Sequence, residues 1–144
     1  MSYMARALSL ARQALGSVSP NPAVGAVVVK DGVVVGEGWT QPPGGDHAEI
    51  GALHQAGQNA SGAVLYTTLE PCDHHGRTPP CTQAILDAGI AEIHAAMLDP
   101  NPLVSGRGLS RLEEAGLRAL VGEGEDEARK LLEAYLKFIT TGLP

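Results

Sequence analysis

Both cysteines of this 144-residue chain lie in one short stretch, "LEPCDHHGRTPPC" (69–81), with His74 and His75 between Cys72 and Cys81. Thiolates with imidazole form a donor set that suits zinc. A third donor is available in "HAE" (47–49), where His47 precedes Glu49 by two residues. His47, Cys72 and Cys81 together give three protein ligands and leave the fourth tetrahedral position to water, the arrangement of a catalytic zinc. Glu49 would then be a carboxylate beside that water, able to move protons. Other readings of the same residues stay open. His74 or His75 could close the site as a fourth ligand, which predicts a structural zinc and no catalysis. The cysteines could be inert buried thiols. Asp46 and Glu49 could form a capping box at a helix start.

These residues need elements to hold them. Residues 4–15 carry a helical apolar period. "AVGAVVVKDGVVVGEGW" (23–39) holds two β-branched runs joined at Lys30-Asp31-Gly32, a hairpin signal. A loop rich in Pro and Gly (41–45) leads to a helix that begins at "HAE" and ends near Gly57. Strands are expected over 62–70 and 90–98, and a helix from Cys81 closes at Gly89. "GRGLSRLEEAG" is read as a helix and "LRALVG" as a short strand. "DEARKLLEAYLKFIT" is read as a final amphipathic helix, with Leu131, Leu132, Tyr135 and Ile139 on one stripe. One hairpin followed by strand–helix units predicts an α/β fold: a three-layer α-β-α sandwich around a mixed five-stranded sheet. In such a sheet, ligands bind beyond the carboxyl ends of the strands. That places Leu69–Cys72 at a strand end and Cys81 in the first turn of the next helix, where the helix dipole favours a thiolate. His54 lies too far along its helix from His47 to share the metal and is read as a packed or surface residue, and His94, within a strand, is read as structural.

Bulk composition narrows the function classes. The net charge is −6 at pH 7 and aromatic residues make up 3% of the chain. An acidic chain with few stacking rings argues against a nucleic-acid partner. No apolar run approaches the length a membrane helix needs. The N-terminal "MSYMARALSLARQALG" has no apolar signal core, so a cytoplasmic protein is expected, with cysteines that are ligands or thiols rather than a disulfide. A single domain over 1–144 is expected.

The order "HAE", then "PC" after a strand, then a second cysteine matches the pattern of zinc nucleobase deaminases, in which the glutamate is not a ligand. The gap between the cysteines is wider than their common two residues. "SPNPAVGAVVVKDGVVVGEGW", "HAE", "LEPCDHHGRTPPC" and "DPNPLVSGRGLSRLEEAG" together resemble the deaminase domain of the bifunctional riboflavin-biosynthesis deaminase/reductases. The resemblance implies a cytidine-deaminase-like fold and hydrolytic removal of ammonia from 2,5-diamino-6-ribosylamino-4(3H)-pyrimidinone 5′-phosphate. It implies Zn2+ on His47, Cys72 and Cys81, with Glu49 as the proton shuttle. It also implies substrate contacts from Asn21, His74, Arg77, Asp99 and Asn101. Arg77 suits a phosphate, whereas Asn21 and Asn101, each before a proline, could equally serve turns. A homo-oligomer is expected, and a reductase, as a further domain or a separate protein, is a possible partner. Two positions depart from the family pattern: Thr40 replaces a histidine after "GW", and Asp46 replaces a proline before His47. The alternatives are a deaminase of another base or nucleoside, such as cytidine or guanine, and a non-catalytic zinc-stabilised interaction module.

Overall fold

The computed structural model describes residues 2–15, 22–42, 45–73 and 80–141, with side chains described as far as Glu133. In chain order the elements are α1 (Tyr3–Ala14), β1 (Gly25–Lys30), β2 (Val33–Trp39), α2 (Ala48–Ala56), a 3-10 turn (Gly57–Ala60), β3 (Val64–Thr67), α3 (Cys81–Ala88), β4 (Glu92–Ala95), α4 (Arg107–Glu114), β5 (Arg118–Val121) and α5 (Glu125–Thr141). The sheet order is β2-β1-β3-β4-β5. β1 runs antiparallel to both β2 and β3, while β3, β4 and β5 are parallel. The expected α/β sandwich with a mixed five-stranded sheet is the observed fold.

Local chemistry accounts for the elements. The hairpin turns at Asp31 (φ 51°) and Gly32 (φ 77°), the two left-handed residues that a tight two-residue connection requires. β1 reads as a continuous apolar run because both of its faces are covered. Ala26 and Val28 join α2, α3 and α4 through Ala52, Leu53, Ile85, Leu109 and Leu112. Val27 and Val29 join α1 and α5 through Met4, Leu8, Ala11, Ala128 and Leu131. Leu131 thus takes its expected place on the α5 stripe; the side chains of Tyr135 and Ile139 lie outside the described residues. β3 and β4 are shorter than the 62–70 and 90–98 expected of them. Beyond Thr67 the backbone still pairs, Thr68 N–H to the Gly25 carbonyl (3.1 Å) and Glu70 N–H to the Met97 carbonyl (3.0 Å), but it bends away from the ladder.

Strand directions decide where the chemistry gathers. β2 points the same way as β3, β4 and β5, because β1 lies antiparallel to both of its neighbours. The loops after β2, β3 and β4 therefore leave at one end of the sheet. They carry His47, Cys72 and Asp99 respectively. α2 is seated close enough on β2 to exclude any side chain at Gly38, where an added Cβ would lie 2.3 Å from the Ala48 carbonyl oxygen. Gly38→Ala must push the start of α2, and with it His47 and Glu49, away from the sheet. The expected cost is about 2 kcal/mol or more, a fall in Tm of roughly 5–10 °C, measurable by thermal unfolding of the zinc-loaded protein. Among the described residues, no helix is long and apolar enough to cross a membrane.

Candidate metal centre

Two loops and two helix starts bring His47, Cys72 and Cys81 together, with their ligand atoms all within 4.8 Å of one another. His47 is the N-cap of α2, Cys72 follows β3, and Cys81 is the first residue of α3, behind Pro80. His47 Nδ1 lies 3.2 Å from Cys81 Sγ. Cys81 is buried, Cys72 half-buried and His47 exposed at the rim. The metal-ligand loop is pinned to α3 twice. The Cys81 backbone N–H donates to Cys72 Sγ (3.4 Å), and the Thr82 N–H donates to the Cys72 carbonyl (3.2 Å). Asp73 adds a third tie, accepting from the buried Thr82 hydroxyl at 2.7 Å.

The electrostatics favour a cation at this point. Hydrogen bonding from the Cys81 thiol, and from His47, holds the Cys72 thiol down at about 4, against the effect of burial. The same hydrogen bond raises Cys81 far above the ordinary thiol range, and burial adds to it. Cys72 is therefore the thiol that ionises first. The α3 N-terminus favours a thiolate as expected, but it stabilises Cys72, to which the Cys81 N–H donates, rather than the cysteine on the helix itself. Hydrogen bonding to Cys72 raises His47, outweighing its desolvation. An imidazole and two thiols, one ionised without any metal, form a donor set that fits zinc.

Glu49 stands beside these donors in a cavity of about 290 Å³ lined by Pro22, Val24, Thr40, His47, Glu49 and Cys72, among others. Its side chain is 5% exposed. It does not cap α2: His47 occupies the N-cap position and no side-chain cap bond forms there. The capping-box reading of Asp46 and Glu49 is thus overturned, because Asp46 lies one residue too early and Glu49 turns inward. Burial pushes the Glu49 carboxyl up to about 7. A buried acid poised near neutrality beside a metal-ligand set has the attributes of a general acid–base.

Residues 1–97 match the cytidine and deoxycytidylate deaminase zinc-binding region. The chain belongs to that family. Riboflavin biosynthesis protein RibD of Escherichia coli (strain K12) is 54% identical over 142 residues, covering 99% of this chain and 39% of the relative. The chain thus spans about two fifths of that relative's length. It matches a shorter relative almost end to end. The diaminohydroxyphosphoribosylamino-pyrimidine deaminase of Buchnera aphidicola subsp. Schizaphis graminum (strain Sg) is 45% identical, with 99% of this chain and 97% of the relative covered. Among solved structures, the Thermotoga maritima diaminohydroxyphosphoribosylaminopyrimidine deaminase/5-amino-6-(5-phosphoribosylamino)uracil reductase superposes with a TM-score of 0.87. It is 45% identical, over 99% of this chain and 41% of that one.

The remaining site residues of this deaminase-family chain divide by location. Asp99 lines the metal-side cavity and also a second, adjoining cavity of about 220 Å³. Asn101 lines only the second of these, and its Oδ1 accepts the Leu103 N–H at 3.0 Å, the kind of turn bond that stood as the alternative to its substrate contact. Thr40 is buried in the wall of the metal-side cavity. Its hydroxyl accepts the Val24 N–H at 2.9 Å and donates to the Pro22 carbonyl at 3.1 Å. Asn21, His74, His75 and Arg77 lie outside the described residues. His54 is exposed on α2. His94 pairs with Glu92 at 2.7 Å and stacks on Tyr66 with ring centroids 4.7 Å apart, a structural role as expected.

One residue at the site escaped the sequence reading. Glu70 is buried, lines both cavities and accepts three backbone N–H bonds, from Asp99 (3.0 Å), Gly106 (2.9 Å) and Leu109 (3.1 Å). The available signal was a carboxylate in an apolar strand end next to Pro71-Cys72. A charge there is tolerated only if folding supplies partners.

Proposed function

We propose that this chain is a zinc-dependent hydrolytic deaminase of 2,5-diamino-6-ribosylamino-4(3H)-pyrimidinone 5′-phosphate, with His47, Cys72 and Cys81 as the metal ligands and Glu49 as the proton carrier. One observation carries the reading: a buried carboxyl poised near neutral pH shares a cavity with His47 and Cys72, two corners of a His/Cys/Cys donor triangle. The substrate is supported by the end-to-end match to the Buchnera deaminase. Zinc held by His47, Cys72 and Cys81 would supply Lewis acidity, which lowers the pKa of water toward about 7.

The residues then divide the work. Glu49 accepts a proton from the attacking water and passes it to the adjacent ring nitrogen. The water oxygen bonds to the amino-bearing carbon, and the C–N bond to the exocyclic amine breaks. Glu49 then takes the second proton from the new C–OH group and gives it to the departing amine as the carbonyl forms, so one water is consumed and one ammonia is released. Burial keeps Glu49 near the pKa at which it can both take and give. The cavity of about 290 Å³ beside the donors suits one heterocycle. The adjoining cavity, with Asp99, Asn101 and Arg107 in its wall, would take the ribosyl phosphate. Asn21, His74 and Arg77 complete the proposed substrate contacts on the strength of their motifs. A homo-oligomer belongs to the same proposal. So does a reductase that consumes the product, supported by the Thermotoga protein that joins the two activities.

An ammonia-release assay on the zinc-loaded chain tests the reading. The phosphorylated pyrimidine is expected to be turned over with kcat/KM at least about 10²-fold above cytidine and guanine, because a site built for polar groups rejects analogues lacking them. Preferential release from cytidine or guanine would overturn the substrate, and no release from any of the three would overturn the activity.

A further inference from the structure

We infer that Glu70 is a positioning residue that fixes the substrate-side loop 99–106 and the first turn of α4 against the metal-ligand loop, and so sets the shape of the second cavity. The inference rests on the proposed substrate only for what enters that cavity.

The three hydrogen bonds are unequally shared, and the sharing is informative. Oε1 accepts from both Asp99 and Gly106, the two ends of the loop, while Oε2 accepts from Leu109 inside α4. One oxygen thus draws the loop closed and the other anchors the helix that follows. Within the loop, Asp99 Oδ1 takes the Asn101 N–H and Asn101 Oδ1 takes the Leu103 N–H. The segment is therefore braced internally and tied to the sheet end through Glu70. Two of the three donors belong to the start of α4, where backbone N–H groups lack helical partners and the dipole favours a negative charge. Glu70 occupies that end, leaving the proposed phosphate to side chains in the cavity wall.

A second contact points the same way. A Cβ at Gly108 would lie 2.2 Å from the Pro71 carbonyl oxygen and 3.3 Å from Glu70 Cγ. α4 thus rides directly on the Pro71–Cys72 peptide, which leads into the ligand Cys72. Asp99, in the wall of both cavities, and Cys72 are consequently held at a fixed offset through a single carboxylate and one glycine contact. Glutamine at position 70 would keep one acceptor oxygen but turn an NH2 group toward N–H donors. Aspartate would be one methylene short of bridging all three.

The test compares Glu70→Gln and Gly108→Ala with wild type in the zinc-loaded chain, using zinc content, amide hydrogen exchange and steady-state kinetics on whichever of the three assay substrates wild type turns over best. Both variants are expected to keep full zinc. The amides of Asp99, Gly106 and Leu109 should exchange roughly tenfold faster or more, since each loses or loosens its acceptor. KM should rise at least about tenfold with kcat within about threefold, the signature of lost substrate binding rather than lost chemistry. Faster exchange with KM unchanged would make Glu70 a stabilising residue only and overturn the inference, as would unchanged exchange. If Glu70→Gln does not fold, Gly108→Ala, which strains the same contact, decides by the same criteria. If wild type deaminates none of the substrates, the proposed function fails separately; KM is then replaced by protection of the 99–109 amides on adding ribose 5-phosphate, present in wild type and lost in the variants if the inference holds.

Discussion

Glu49→Gln is expected to lower kcat by roughly 10²–10⁴-fold, the share that a positioned acid–base group supplies, with zinc content unchanged. Glutamine fills the same volume and cannot carry the proton. Because Glu49 belongs to neither core cluster nor the ligand triangle, the variant should still fold and bind zinc. Stability offers an independent check in the chelator-treated protein. The folded carboxyl sits at about 7, above its ordinary 4.5. A group raised in this way favours the fold most below its unfolded pKa, and that advantage is lost as pH rises through about 7. Zinc-free wild type should therefore gain stability relative to Glu49→Gln as pH falls from about 8 to about 5. Ammonia release at the parental rate by Glu49→Gln would exclude the proposed proton carrier.

The second large effect comes from the metal ligands. Cys72→Ser is expected to abolish tight zinc binding and reduce deamination to background, because serine offers neither a soft donor nor, at neutral pH, an anion. The Cys72 thiol is the one that ionises first, so its loss also removes the local charge that draws a cation in. The fold should survive. Its two clusters pack helices onto both faces of the sheet, and Cys81 is the one metal ligand among the core residues. This separates the protein from small zinc domains that unfold without metal. Loaded wild type should still melt higher than the variant, by about 2.7 kcal/mol at free zinc of a hundred times Kd. Elemental analysis, circular dichroism and thermal melts distinguish these outcomes. A variant that retained stoichiometric zinc would remove Cys72 from the ligand set.

Much of this site was written in short range. The Asp31-Gly32 turn, the Gly57 and Gly89 helix ends, and the switch from period-two to helical patterning gave the element order because each depends on neighbouring residues alone. The strand limits were harder to read. β3 and β4 stop at Thr67 and Ala95, where the chain bends into the site although apolar residues continue. Hydropathy records burial, and burial persists past the point where the ladder ends.

The sequence by itself determined the chemistry on offer: a His-x-Glu at a helix start, Pro-Cys after a strand, and a second cysteine at the next helix. Residue type dictates donor softness and proton affinity, and those properties do not wait for folding. Tertiary structure decided how the donors are used. Strand direction brought the loops after β2, β3 and β4 to one end of the sheet, so that His47 met two cysteines distant in sequence. Burial, rather than its neighbour Asp46, turned Glu49 from a plausible helix cap into an acid poised near neutrality. The three donors that give Glu70 its place lie 29 to 39 residues away, beyond any local pattern. A side chain's type fixes what it can donate or accept; only the fold fixes what stands opposite.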